Sequence, residues 1–355
     1  METDAQTYRI AVDCMGGDKG PAEVVQAVAL ALKKIGEGDR LILVGQEKVI
    51  RDAMRAAGLT SHPRVEIRHA PDVIGMDDKP MQAMKSKKNS SMIVALEMLK
   101  AGEVDAVVST GNTKVMVGAG TLKVRLLPGV QRPALSAILP RKKGYSVVAD
   151  VGANPETTPE QLVHNTVLGS LYSIAVLGTT KPKVGLLTVG TEEGKGGDRI
   201  NRAHAYLKAL NERFDWFEYV GPVEGFDVFQ SDVDVIVTDG FTGNILIKTI
   251  EGLVYMIKDF VGENVKRNPL YLGAGLVLLP LLRKMKAHLR PERFGGAPLL
   301  GLNGLVMKAH GSSNRYGTCA AIVMAHNACS KAMNKKASEL LAVANEVVAE
   351  VQQGV

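Results

Sequence analysis

The stretch Tyr8–Pro21, YRIAVDCMGGDKGP, decides the fold. Its first six residues are mostly apolar or β-branched, the composition of a short strand buried on both faces. Asp13 closes that run. The paired Gly16 and Gly17 let the backbone turn sharply and aim N–H groups at a ligand. Asp18 and Lys19 follow, and Pro21 suits a first helical turn, where a missing N–H costs nothing. A strand, a glycine turn and a helix start in quick succession open a parallel, helix-covered sheet.

The same alternation runs along the chain. Further strands are expected at Leu41–Gly45, Val65–His69, Asp105–Ser109, Ser146–Asp150, Lys183–Val189, Phe217–Val220 and Val233–Asp239. Amphipathic helical segments lie between them at Pro21–Ile35, Ser90–Ala101, Pro159–Val176 and Asn244–Gly262, and the last forty residues are expected to be helical. No low-complexity linker, charge block or repeat divides the 355 residues. The expectation is one α/β domain, 1–355, with a single excursion at about 264–300.

That excursion contains Leu270–Leu282, LYLGAGLVLLPLL, followed at once by Arg283, Lys284, Lys286, His288, Arg290 and Arg293. The apolar run is shorter than the ~20 residues a bilayer span needs. An apolar segment leading into a basic one suits an anionic membrane surface. It equally suits a buried helix or a dimer interface.

Apolar residues make up 46% and charged residues 23%, a globular balance. At 5% aromatic, the chain has few stacking platforms for bases, and no nucleic-acid role is expected. The formal charge of +6 and a pI near 9.0 favour acidic partners: phosphate, a phosphorylated substrate, an acidic carrier protein or anionic lipid. Cys14, Cys319 and Cys329 fit neither a disulfide framework nor a zinc ribbon, and a reducing cytoplasm is expected.

Ligands of doubly wound sheets bind beyond the carboxyl ends of the strands. Six loops there are rich in anion-binding groups. The first carries Asp13, Gly16, Gly17 and Asp18; the second Ser109, Thr110, Gly111 and Asn112, then Lys114. The third holds Asp150 and Asn154, and the fourth sets Lys195 among glycines. The fifth runs Asp239, Gly240, Gly243 and Asn244 into a helix bearing Lys248; the sixth is Lys308, His310, Ser312 and Ser313. Hydroxyls, amides, lysines and helix N-termini are what a phosphate needs. Any one loop is also an ordinary turn.

Other chemistries lack their residues. No GxxxxGK[ST] or GxGxxG is present, and Gly118-Ala119-Gly120 falls inside a helical pattern. There is no GxSxG elbow. Seven scattered histidines form no HxH or HExxH pair, so neither a metal nor a cofactor is expected. Asp77-Asp78 and Glu192-Glu193 fit solvated loops, and Cys14 a buried small apolar side chain.

Taken in order, DCMGGDKGP (Asp13–Pro21), KKNSSM (Lys87–Met92), STGNT (Ser109–Thr113), RPAL (Arg132–Leu135), DVGAN (Asp150–Asn154), TDGFTGN (Thr238–Asn244) and KAHGSS (Lys308–Ser313) resemble the PlsX family of bacterial phosphate acyltransferases. The resemblance covers Ile10 to about Lys331. It implies a three-layer α/β/α sandwich of the isopropylmalate dehydrogenase/phosphotransacetylase type. It also implies reversible transfer of a fatty acyl group from acyl carrier protein to orthophosphate, the acyl phosphate then passing to a glycerol-3-phosphate acyltransferase in phospholipid synthesis. A homodimer on the inner membrane surface is implied as well, with Leu270–Arg293 where family members dock on lipid. Cys14 stands where the family usually has Ala, Lys19 where it often has His, Lys114 where Gly is usual and Gly197 where Asn is usual.

A thioester is already activated, so the enzyme has to hold phosphate near the carbonyl and stabilise the oxyanion formed on attack. Lys195 and Asn244 are the expected donors, with Asp239 or His310 orienting them or managing a proton. Rival expectations are a phosphotransacetylase-like enzyme using acyl-CoA, a decarboxylating dehydrogenase on the same fold, and a lipid-binding scaffold.

Overall fold

The computed structural model describes residues 6–192, 194–267, 277–281, 283–285, 288 and 294–354. Eleven strands form one sheet in the order β3-β2-β1-β4-β11-β10-β5-β6-β9-β7-β8. On one side lie β1 (Arg9–Asp13), β2 (Arg40–Gly45), β3 (Val65–His69), β4 (Ala106–Ser109) and β11 (Leu305–Ala309), all parallel. On the other, β6 (Tyr145–Ala149), β7 (Lys183–Leu187), β8 (Glu218–Val223) and β9 (Val235–Val237) are parallel among themselves. β10 (Gly296–Leu300) and β5 (Ala134–Pro140) join the halves by antiparallel pairing, so the halves run in opposite senses.

Eight strands fall where the sequence places them. The three it does not announce are β5, β10 and β11, and the first two make the sheet mixed rather than purely parallel. β10 is GAPLL, whose glycine and proline hide it from a search for β-branched runs. The middle of β1, Ile10, Ala11 and Val12, and β4 up to Val108 are apolar because helices cover both faces.

On one face a continuous core buries α1 (Gly20–Ala31), α2 (Glu47–Ala56), α6 (Pro159–Tyr172), α7 (Gly197–Arg213) and the two C-terminal helices, Arg315–Ser330 and Met333–Gln353. The start of α6 is fixed by a capping box in which Thr158 and Gln161 exchange side-chain and backbone bonds. The C-terminal segment is two helices rather than one, broken where Ala332 takes φ +51°.

The opposite face is divided. One apolar cluster lies under α3 (Pro80–Ser86), α4 (Ser91–Lys100) and α5 (Thr113–Ala119). A second lies under α8 (Asp227–Gln230) and the near side of α9 (Gly240–Arg267). Between them runs a trough over β10 and β5, floored by the half-buried Ala297, Leu135 and Ala137. Past its first turns α9 leaves the body: Leu253–Val261 is exposed on every side, including Tyr255, Met256 and Phe260. The expected membrane segment Leu270–Arg293 lies largely outside the described residues. Among those described, no helix is long and apolar enough to cross a membrane.

A candidate active site on two walls of the trough

The six loops gather into two groups, one on each wall. The first stands at the carboxyl ends of β1, β4 and β11. Register places Asp13, Ser109 and Lys308 side by side on the trough face. Ser109 Oγ donates to Asp13 Oδ2 at 2.6 Å and accepts from the Gly111 N–H at 3.0 Å. Asp13 Oδ1 accepts from the Met15 N–H at 3.1 Å. These bonds lock the first loop against the second, and glycine is required where they touch. A Cβ on Gly16 would lie 2.5 Å from Asp13 Oδ2, and one on Gly17 would lie 2.5 Å from Thr110 Oγ1. The sixth loop joins them through the Asp18 N–H, which donates to the Gly311 carbonyl at 3.0 Å. Asn112 caps α5, accepting from the N–H groups of Lys114 and Val115.

Two groups in this wall hold unspent polar capacity. Thr110 Oγ1 is buried without a partner. Lys308 is buried, its Nζ donating to the carbonyl oxygens of Ala309 and, at 3.5 Å, Thr110. Burial pushes its amine down to about 8 against the pull of Asp13 and Asp18. His310 and Ser312 are exposed and bond each other, Nδ1 to Oγ at 2.8 Å.

The second group stands at the carboxyl ends of β6 and β9. Asp150 is fully buried, and its oxygens accept from the N–H groups of Leu135, Gly152, Ala153 and Asn154 and from the Asn154 side chain. Burial raises its carboxyl while those N–H donors hold it down; burial wins. Both oxygens are thus spent on shaping the third loop. The Ala149–Asp150 peptide is cis.

Against that loop docks the N-terminus of α9. The Gly240 N–H donates to the Asn154 carbonyl at 2.8 Å, and a Cβ on Gly240 would lie 2.5 Å from the same oxygen. Asp239 Oδ1 accepts from the Thr242 N–H at 2.7 Å, the bond of a helix cap. Its Oδ2 accepts from Arg199 at 2.6 Å. Asn244 is exposed one turn into the helix, beside Gly152, and its amide has no hydrogen-bond partner among the described residues.

Lys195 lies in the fourth loop, exposed and paired with Glu192 Oε1 at 2.6 Å. The bond from Lys195 holds the Glu192 carboxyl below its usual range. Lys248 pairs with Glu251 on the exposed side of α9 and joins neither group. Three strand spacings lie between β11 and β6, about 14 Å across the sheet at ~4.8 Å each, and the opposed halves send their loops out at opposite ends of the strands. His310 therefore stands across the sheet from Asp239 and Asn244 rather than beside them within one chain.

The sequence does not single out Arg199, and it places Lys308 in the sixth loop rather than in a strand. Arg199 sits in a helical pattern, where an arginine signals only a solvated face. Lys308 ends a strand whose existence the sequence did not announce.

The architecture is a three-layer α/β/α sandwich whose loops form turns and helix starts suited to an anion. A model of the family described as fatty acid synthesis protein matches residues 8–336. The phosphate acyltransferase of Caulobacter vibrioides is 42% identical over 327 residues, spanning 91% of this chain and 88% of that protein. That of Methylococcus capsulatus is 39% identical over 330 residues, spanning 93% and 96%. The chain belongs to this phosphate acyltransferase family, PlsX, and is an acyltransferase. Its fold is shared with a phosphotransacetylase from Streptococcus pyogenes, at a TM-score of 0.60 and 18% identity over 91% of this chain and 94% of that one. EutD phosphotransacetylase from Staphylococcus aureus has a TM-score of 0.56 at 16% identity, with the same coverage of both chains.

Proposed function

We propose that the chain transfers a fatty acyl group from acyl carrier protein to orthophosphate, reversibly, with the α9 N-terminus and Lys195 as its anion-handling wall. The observation that carries this reading is Asn244: an unspent amide one turn into a long helix, held in place by the Asp150 loop. A helix N-terminus favours negative charge, and donors fixed before reaction stabilise an oxyanion without reorganising.

In the reaction, a phosphate oxygen attacks the thioester carbonyl carbon. The new C–O bond forms as the C–S bond breaks, and the thiolate leaves easily because a thiol pKa is about 8.5. Lys195 grips phosphate or the developing oxyanion, exchanging its bond to Glu192 for one to the anion. Asn244 donates to the same oxygens, while Asp239 caps the helix and is held by Arg199. His310 and the Asp13–Ser109–Lys308 wall face the donor side. No covalent acyl-enzyme, metal or cofactor is part of this scheme.

The product feeds glycerol-3-phosphate acylation in phospholipid synthesis. The reading includes a homodimer, working in the cytoplasm at the inner face of an anionic membrane. The exposed apolar residues of α9, 253–257 with Phe260 and Val261, support a covering surface there, because so large an apolar patch on one helix favours burial against protein or lipid. Lys195→Ala and Asn244→Ala, each folded, should lower acyl phosphate formation by on the order of a hundredfold. Full activity in both would overturn the site assignment, and a trapped acyl-protein adduct would overturn direct transfer. An acyl-CoA donor, as in phosphotransacetylases, is the alternative; a comparison of the two thioesters at equal concentration separates them.

A further inference from the structure

On the α3 side of the trough the surface is basic and shallowly grooved. Lys79, Lys85, Lys88 and Lys114 are exposed, and none pairs with a carboxylate among the described residues. Lys87, in contrast, is tied to Asp78. Met81 and Met76 are exposed at 61% and 40% between these lysines. A groove of about 460 Å³ runs past Met76, Asp77, Asp78, Lys79, Pro80, Lys114 and Thr113 to Asn112, with Asp78 already tied to Lys87. It thus leads from the lysines to the second loop of the candidate site.

The patch is held rigidly. Asn112 Nδ2 donates to the carbonyl oxygens of Met76 at 2.8 Å and Asp78 at 3.2 Å, which ties the α3 approach to the Ser109–Thr113 loop. Ala83 is buried and Met84 packs over Gly118 of α5. Preorganisation of this kind lowers the ordering cost of binding.

We infer that this surface, Lys79–Lys88 with Lys114, is where an acidic carrier protein docks to deliver its thioester along the groove. The inference rests on the proposed carrier-dependent reaction. Unpaired lysines attract an acidic helix and speed encounter, while methionine side chains adapt to its apolar residues. A lipid surface fits this patch less well. It offers two exposed methionines and no exposed aromatic, whereas the broad apolar surface lies on α9, on the other wall.

The test uses the full-length protein with Lys85→Glu and Lys88→Glu combined, both residues exposed and outside the site loops. Acyl phosphate formation is measured with acyl carrier protein thioester and with a carrier-free thioester such as acyl-pantetheine. The expected result is a fall of tenfold or more in kcat/KM for the carrier thioester, a flattened salt dependence, and an unchanged rate with the carrier-free donor. An unchanged carrier kcat/KM overturns the inference, as does loss of binding to phosphatidylserine vesicles with carrier turnover intact. No acyl phosphate from either donor with the unmodified protein would instead overturn the proposed function itself. A milder pair, Lys85→Gln and Lys88→Gln, should give an intermediate fall.

Discussion

Gly243 and Asp150 meet backbone to backbone: a Cβ on Gly243 would run into the Asp150 carbonyl oxygen. This contact, and not a side-chain bond, sets α9 against the third loop. It therefore fixes where Asn244 stands. Gly243→Ala forces the helix start away from the loop, at a cost of about 1–3 kcal/mol for overpacking. Thermal melting should show a lower Tm, and the rate of acyl phosphate formation at a temperature where the variant is fully folded should fall by more than tenfold. A variant that melts lower yet turns over normally would show that the contact is structural only.

Asn244 offers a sharper substitution. Asn244→Asp keeps the size of the side chain but places a carboxylate where phosphate and an oxyanion are expected. The loss in kcat should exceed that of Asn244→Ala, because repulsion is added to the missing donor. Steady-state kinetics on both variants check this. Equal losses would mean that the residue does not face the developing charge.

Arg199 connects the fourth and fifth loops through its 2.6 Å bond to Asp239, a mostly buried carboxylate. Arg199→Gln leaves Asp239 without its ion-pair partner and loosens the cap on α9. Arg199 is partly exposed, so the stability loss should be small, about 1 kcal/mol or less. The kinetic effect should be larger: a severalfold rise in KM for phosphate, partly restored in Arg199→Lys. Unchanged phosphate dependence in Arg199→Gln would remove Arg199 from the site.

Lys308 predicts a stability signature with a definite sign. Its amine is held at about 8 in the folded chain, against an ordinary 10.5. Below about 8 both states are protonated, and the folded state bears the full cost of a buried ammonium, about 3 kcal/mol. Between those values the unfolded chain keeps a proton that the folded chain has released, so stability rises with pH. Lys308→Met removes this increment. Urea unfolding at pH 7.5 and pH 10 should show the variant's advantage shrinking at the higher pH. A constant difference would place the amine in a more solvated position.

Much of the body was legible because strands buried on both faces are short apolar runs and their helices carry capping and proline signals. Eight strands and the principal helices followed from those features. The sheet's centre did not. Gly296–Leu300 and Ala134–Pro140 lack β-branched runs, and their antiparallel pairing depends on contacts far apart in sequence. The loops were equally legible as loops, but their grouping was not. Nothing in the order of the chain says that the halves of the sheet run oppositely, which is what sets His310 across the sheet from Asn244. Lys248 follows the same loop as Asn244 but lies a further turn along α9, where it pairs with Glu251.

Transfer to phosphate is tested most directly by incubating the purified protein with fatty acyl carrier protein thioester and radiolabelled orthophosphate. Label is expected in acyl phosphate in step with release of free carrier thiol, and added acyl phosphate and carrier should run the reaction backwards. Thiol release with no labelled acyl phosphate would mean that water, not phosphate, takes the acyl group, and would overturn phosphate as the acceptor.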